Sequence, residues 1–144
     1  MKRILPLLCA LYSQSAFAET RIACPDAYPA NLLATKGVPG QWKGIAHIPG
    51  PDLILQSAGV IAGPAHQYPQ GIQRGIEKKT KKGLEIEFPA LDAFTEPLEK
   101  WMYCAYGAGS EVQLLQKLPA DTKACKADFT RTPYGNHSIN VTCK

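Results

Sequence analysis

Four cysteines, Cys24, Cys104, Cys125 and Cys143, carry the plainest chemistry in this chain of 144 residues. A thiol can act as a nucleophile, ligate a metal or close a disulfide, and spacing discriminates among these roles. There is no C-x-x-C pair and no histidine spaced beside a cysteine, so the usual ligand set of a zinc site is missing. With Cys9 set aside the count is even, which leaves no spare thiol for catalysis. Two disulfides are the remaining reading, and four cysteines allow three connectivities.

Other catalytic groups are dispersed. No G-x-S-x-G elbow occurs, and Gly109-Ser110-Glu111 lacks its flanking pattern. Phosphate loops, the dinucleotide fingerprint and H-E-x-x-H are absent. His47, His66 and His137 stand singly in turn-rich stretches and read as ordinary surface histidines. Glu85 and Glu87 share one strand face, opposite Ile86 and Phe88, which is the pattern of a solvated face rather than an acid–base pair. No enzymatic activity, cofactor or metal is therefore expected.

Recognition has better candidates. The stretch Glu77–Gly83 carries Lys78, Lys79, Lys81 and Lys82, a basic tip able to attract an acidic partner, although such a tip also solubilises a bare hairpin end. The loop Ala62–Gly71, with His66 and Tyr68, is the second candidate contact region. Trp42, Trp101, Tyr103 and Tyr106 are amphipathic aromatics that suit an interface or a core.

The N-terminus sets the compartment in which these groups work. Lys2 and Arg3 precede the apolar run Ile4–Leu11, and Ala16-Phe17-Ala18 matches the small-x-small signal peptidase pattern. Residues 1–18 are thus expected to form a signal peptide cleaved after Ala18, with 19–144 a single disulfide-stabilised domain in the periplasm. Cys9 follows Leu8 rather than a small residue, which argues against lipidation. Loss of Lys2 and Arg3 lowers the formal charge from +4 to +2, too balanced for a nucleic-acid surface. No later segment approaches the roughly 18 apolar residues of a membrane span.

The elements that must hold the cysteines read as short strands between breakers. Cys24-Pro25 opens the domain, and Asp26–Thr35 is a helical turn or loop. Trp42–Ile48 predicts a strand ended by Pro49-Gly50-Pro51, and Leu53–Ile61 a second, with Gly59 as a bulge or weak point. Ile72–Ile76 and Leu84–Phe88 flank the basic tip. Glu99–Tyr106 and Glu111–Leu118 form a hairpin about Gly107–Ser110. Cys125–Thr130 and Ser138–Cys143 flank a reversal at Arg131–His137. A hairpin centred on Tyr134 sets Cys125 directly opposite Cys143, within disulfide reach. Cys24–Cys104 then follows by elimination. The expected fold is mainly β: one antiparallel β-sandwich or partly closed barrel stapled by two disulfides.

The order of Cys24-Pro25, Pro39-Gly40-Gln41-Trp42, Gly63-Pro64, Trp101-Met102-Tyr103-Cys104-Ala105-Tyr106, Leu114–Pro119, Cys125 and Cys143-Lys144 resembles a group of small exported proteobacterial proteins. That group was first named from an enteric pathogen's type VI secretion island. The resemblance implies a periplasmic immunity protein that neutralises a peptidoglycan-attacking effector delivered by neighbouring cells, of the L,D-transpeptidase type and encoded by the gene next to its own. Its pattern is structural, so it transfers no contact residue. A different binding role, lysozyme inhibitor or envelope-assembly factor, is the alternative. A lysozyme inhibitor would favour acidic loops, whereas the distinctive loop here is basic.

Overall fold

The computed structural model describes residues 19–34, 40–41, 52–65, 69–93, 98–133 and 136–144. The expected signal segment, the strand Trp42–Ile48 with its breaker Pro49–Pro51, His66, Tyr68 and Tyr134 lie outside the described residues.

Strands are β1 (Thr20–Ala23), β2 (Ala27–Pro29), β3 (Asp52–Ala62), β4 (Ile76–Thr80), β5 (Gly83–Phe88), β6 (Lys100–Tyr106), β7 (Val112–Lys117), β8 (Cys125–Arg131) and β9 (His137–Cys143). A 3-10 turn, Ala30–Leu32, follows β2. The strands form two antiparallel sheets, one in the order β1-β9-β8-β5-β4 and the other β2-β3-β6-β7. Alternation explains why each sheet has an inner face. In β8, Cys125, Ala127 and Phe129 are buried, and Lys126, Asp128 and Thr130 are not. Ile139, Val141 and Ile22 extend that buried face, and Leu55, Val60, Met102 and Tyr106 meet it from the other sheet in one shared core. The architecture is the expected antiparallel module.

The β8–β9 register places Cys125 opposite Cys143, with Thr130 opposite Ser138. Ala124 and Lys144 exchange both backbone hydrogen bonds, 3.1 and 3.0 Å. Hydrogen-bonded and non-bonded pairs alternate, so Cys125 and Cys143 occupy a non-bonded position, where opposed side chains come closest. Their Cα atoms are 4.1 Å apart and the disulfide is closed. Cys24–Cys104 is also closed, over a separation of 80 residues. Cys24 lies where the chain leaves β1 of one sheet for β2 of the other, so this bond joins the sheet crossing to β6.

Several local expectations need correction. Asp26–Thr35 holds a short strand as well as a helical turn, because Ala27–Pro29 pairs with Ile54, Leu53 and Asp52. The irregularity in β3 falls between Leu55 and Ser57, not at Gly59. Gly59 instead faces Tyr103 across the β3–β6 ladder: a Cβ there would lie 2.8 Å from the ring. Close approach, rather than a bulge, requires the glycine. Ile72–Ile76 is not a continuous strand. Ile72 makes an isolated bridge to Ile61, and β4 begins only at Ile76.

Candidate functional site

The basic stretch is organised as a strand and a turn rather than as a seven-residue tip. Lys78 and Lys79 belong to β4, and only Lys81 and Lys82 form the two-residue turn into β5. The turn closes at Thr80 and Gly83, where φ is +151° and where a Cβ would lie 2.0 Å from the Phe129 carbonyl oxygen. The Lys82 N–H donates to Thr80 Oγ1 at 3.3 Å.

Register then assigns the lysines to faces. Lys78 stands opposite Glu85, which stands opposite Asp128 and, beyond it, Asn140, so all four share the outer face of the sheet. Lys79 stands opposite Leu84, on the inner side, but β4 reaches past the core and every residue of it is exposed. The acid nearest Lys78 already has a partner. Lys126 Nζ donates to Glu85 at 3.2 Å and lies 3.4 Å from Asp128. The Glu85 hydrogen bond, then the charge of Asp128, holds the Lys126 ammonium above the usual lysine range. Lys78, Lys79, Lys81 and Lys82 make no ion pair among the described residues. Four exposed cations thus cluster on one hairpin with their charge unspent.

The second candidate region is split by its surroundings. His66 and Tyr68 lie outside the described residues. The flanking segment is fixed to the sheet: Ala62 N–H donates to Gly71 O at 2.9 Å, and Gln73 N–H to Val60 O at 2.8 Å.

The aromatics divide between two environments. Tyr106, with Met102 and Cys104, faces the shared core. Tyr103 packs with Ile61 and Ala105 in a second apolar cluster, against which Trp101 rests. Lys117 Nζ lies 5.4 Å from the Trp101 ring centroid and also pairs with Glu99. That hydrogen bond holds the Glu99 carboxyl below the usual range. Among the described residues no group of three or more His, Cys, Asp or Glu could hold a metal, and no helix is long and apolar enough to cross a membrane.

One ordered charge escaped sequence reasoning. Lys100 is buried, and its Nζ donates to the carbonyls of Ala120 at 2.8 Å and Thr122 at 2.7 Å. Its only signal was a lysine opening an otherwise apolar strand.

A family model described as Type VI secretion system Tli immunity protein matches residues 51–144. The chain belongs to this family. No curated protein and no solved structure matches it. The matched region holds β3–β9, the lysine hairpin and three of the paired cysteines, while β1, β2 and Cys24 precede it. Membership makes the chain a type VI immunity protein, whose role is to bind a cognate effector as an inhibitor. A scaffold that carries surface charge and two staples is consistent with that role.

Proposed function

We propose that the chain is exported, loses residues 1–18, and acts in the periplasm as an inhibitor of a peptidoglycan-targeting effector of the L,D-transpeptidase type. The folded unit is residues 19–144. It blocks the effector by occlusion: a rigid β scaffold presents a preformed element to the effector's cleft, and prior rigidity limits the entropy lost on binding. Lys78, Lys79, Lys81 and Lys82 form the main contact, and His66 and Tyr68 are the further contact residues. The observation that carries this assignment is the cluster of four exposed lysines with no ion-pair partner among the described residues.

The test is protection. The full chain, with its signal segment, is co-expressed beside the exported product of the neighbouring gene, directed to the periplasm. The wild-type chain should restore growth, and reversing all four lysines to glutamate should weaken that rescue. No rescue by the wild type would remove the immunity pairing. Full rescue by the reversed variant would remove the lysines from the contact.

A further inference from the structure

Among the described residues, strand β4 is the outermost strand of its sheet, hydrogen-bonded on one side only, to β5. The parity of the ladders shows which of its backbone groups face outward. Ala124 and Lys144 form a hydrogen-bonded pair, so even-numbered residues of β8 bond to β9 and odd-numbered ones to β5. Through Phe129↔Leu84 and Ala127↔Ile86, the even residues of β5 bond to β8, which leaves Gly83, Glu85 and Glu87 bonding to β4. Their partners are Thr80, Lys78 and Ile76. The N–H and C=O groups of Glu77 and Lys79 therefore point away from the sheet, along an edge that no described strand pairs.

An open edge is a template for another strand, and its side chains decide which strand is accepted. Every β4 residue is exposed, and no side chain among the described residues covers the edge. A second copy pairing antiparallel about Lys78 would set Lys78 against Lys78 but Lys79 against Glu77 on both sides, so its edge charges largely cancel. An acidic strand is better matched: Lys78 and Lys79 present cations on the two faces against the single carboxylate of Glu77, and Lys81 and Lys82 add two more at the turn. Ile76, 60% exposed, offers an apolar neighbour on the outer face.

We propose that an extended, acidic segment of the cognate effector adds to β4 as a further strand, hydrogen-bonding to the outward groups of Glu77 and Lys79. The inference rests on the immunity reading and gives the lysine contact its geometry. It also assigns the lysines a task, to select the acidic strand.

The experiment separates backbone from charge. Because the Lys79 N–H points outward, proline there removes an edge donor without breaking a bond to β5. Lys79→Pro is compared with Lys79→Ala, which loses the same charge but keeps the donor. Affinity for the purified exported product of the neighbouring gene should fall roughly tenfold further for the proline variant, the effect of a lost interstrand bond and its neighbours. Amide exchange on the wild type supplies a reading independent of any substitution: the Glu77 and Lys79 amides should slow in the complex. If Lys79→Pro and Lys79→Ala bind alike, or if those amides stay fast while the wild type binds, strand addition is overturned and the immunity pairing survives. If the wild-type chain does not bind the product, the immunity pairing fails and takes the occupant with it.

Discussion

A lysine ammonium is costly to take out of water, yet Lys100 sits 6% exposed at the start of β6. Two backbone carbonyls replace its hydration, those of Ala120 and Thr122, and so fix the loop between β7 and β8 against the sheet. Tyr106 is the opposite case. It is 0% exposed, its ring lies 6.1 Å from that of Tyr28, and its hydroxyl has no hydrogen-bond partner among the described residues. The two side chains should therefore respond differently to loss of their polar ends. Lys100→Met leaves two carbonyls unsatisfied and should cost about 1–3 kcal/mol in urea unfolding. Tyr106→Phe discards a group already unsatisfied and should be neutral or stabilising at neutral pH. Burial first, and the charge of Asp26 second, raise the Tyr106 phenol above its ordinary value. The unfolded chain then releases its proton near pH 10 while the folded chain retains it, so stability falls as pH rises through and above that value. Tyr106→Phe should remove that component of alkaline unfolding. An unchanged alkaline midpoint, or a large loss at pH 7, would show that the hydroxyl has a partner.

Hairpins were legible as elements because their information is local. Gly107–Ser110 between two apolar runs marked the β6–β7 hairpin, though its register, Tyr106 opposite Val112, is one residue off what that turn implies, and the reversal about Tyr134 set Cys125 opposite Cys143. Residues β1 and β2 were not legible, because four and three residues carry too little periodicity and their partners, β9 and β3, lie outside any hairpin. The lysines were visible as charge, but their place on an edge strand depends on β5 pairing with β8, across the intervening β6–β7 hairpin. The two disulfides also differ as elements. Cys125–Cys143 closes 18 residues inside a ladder already held by backbone bonds, whereas Cys24–Cys104 spans 80 and anchors the crossing between sheets. On the loop-entropy model these are worth about 3 and about 4.5 kcal/mol respectively. The double variant Cys24→Ser with Cys104→Ser should accordingly unfold at lower urea than Cys125→Ser with Cys143→Ser. Equal midpoints would mean that the crossing is held without its covalent tie.

At the scale of the whole molecule, the formal charge is small: +4 for the full chain and +2 once Lys2 and Arg3 are removed. Net charge therefore supplies little attraction, and any electrostatic steering must come from where the charges lie. On the outer face of the five-stranded sheet Lys126 is neutralised by Glu85 and Asp128. At the far edge Lys78, Lys79, Lys81 and Lys82 have no ion pair among the described residues, so the molecule carries a local positive pole on a nearly neutral body. Such a pole acts mainly on the association rate, because it biases encounter before close contacts form. Salt tests this directly, since the screening length shrinks from about 30 Å at 0.01 M to about 8 Å at 0.15 M. Across that range the wild-type on-rate for the effector should fall severalfold, with a much smaller change in off-rate. The variant with all four lysines reversed to glutamate should associate slowly at low salt and gain speed as salt rises. That inversion distinguishes a steering pole from surface charges that only keep the protein soluble, for which the wild-type on-rate would be independent of salt.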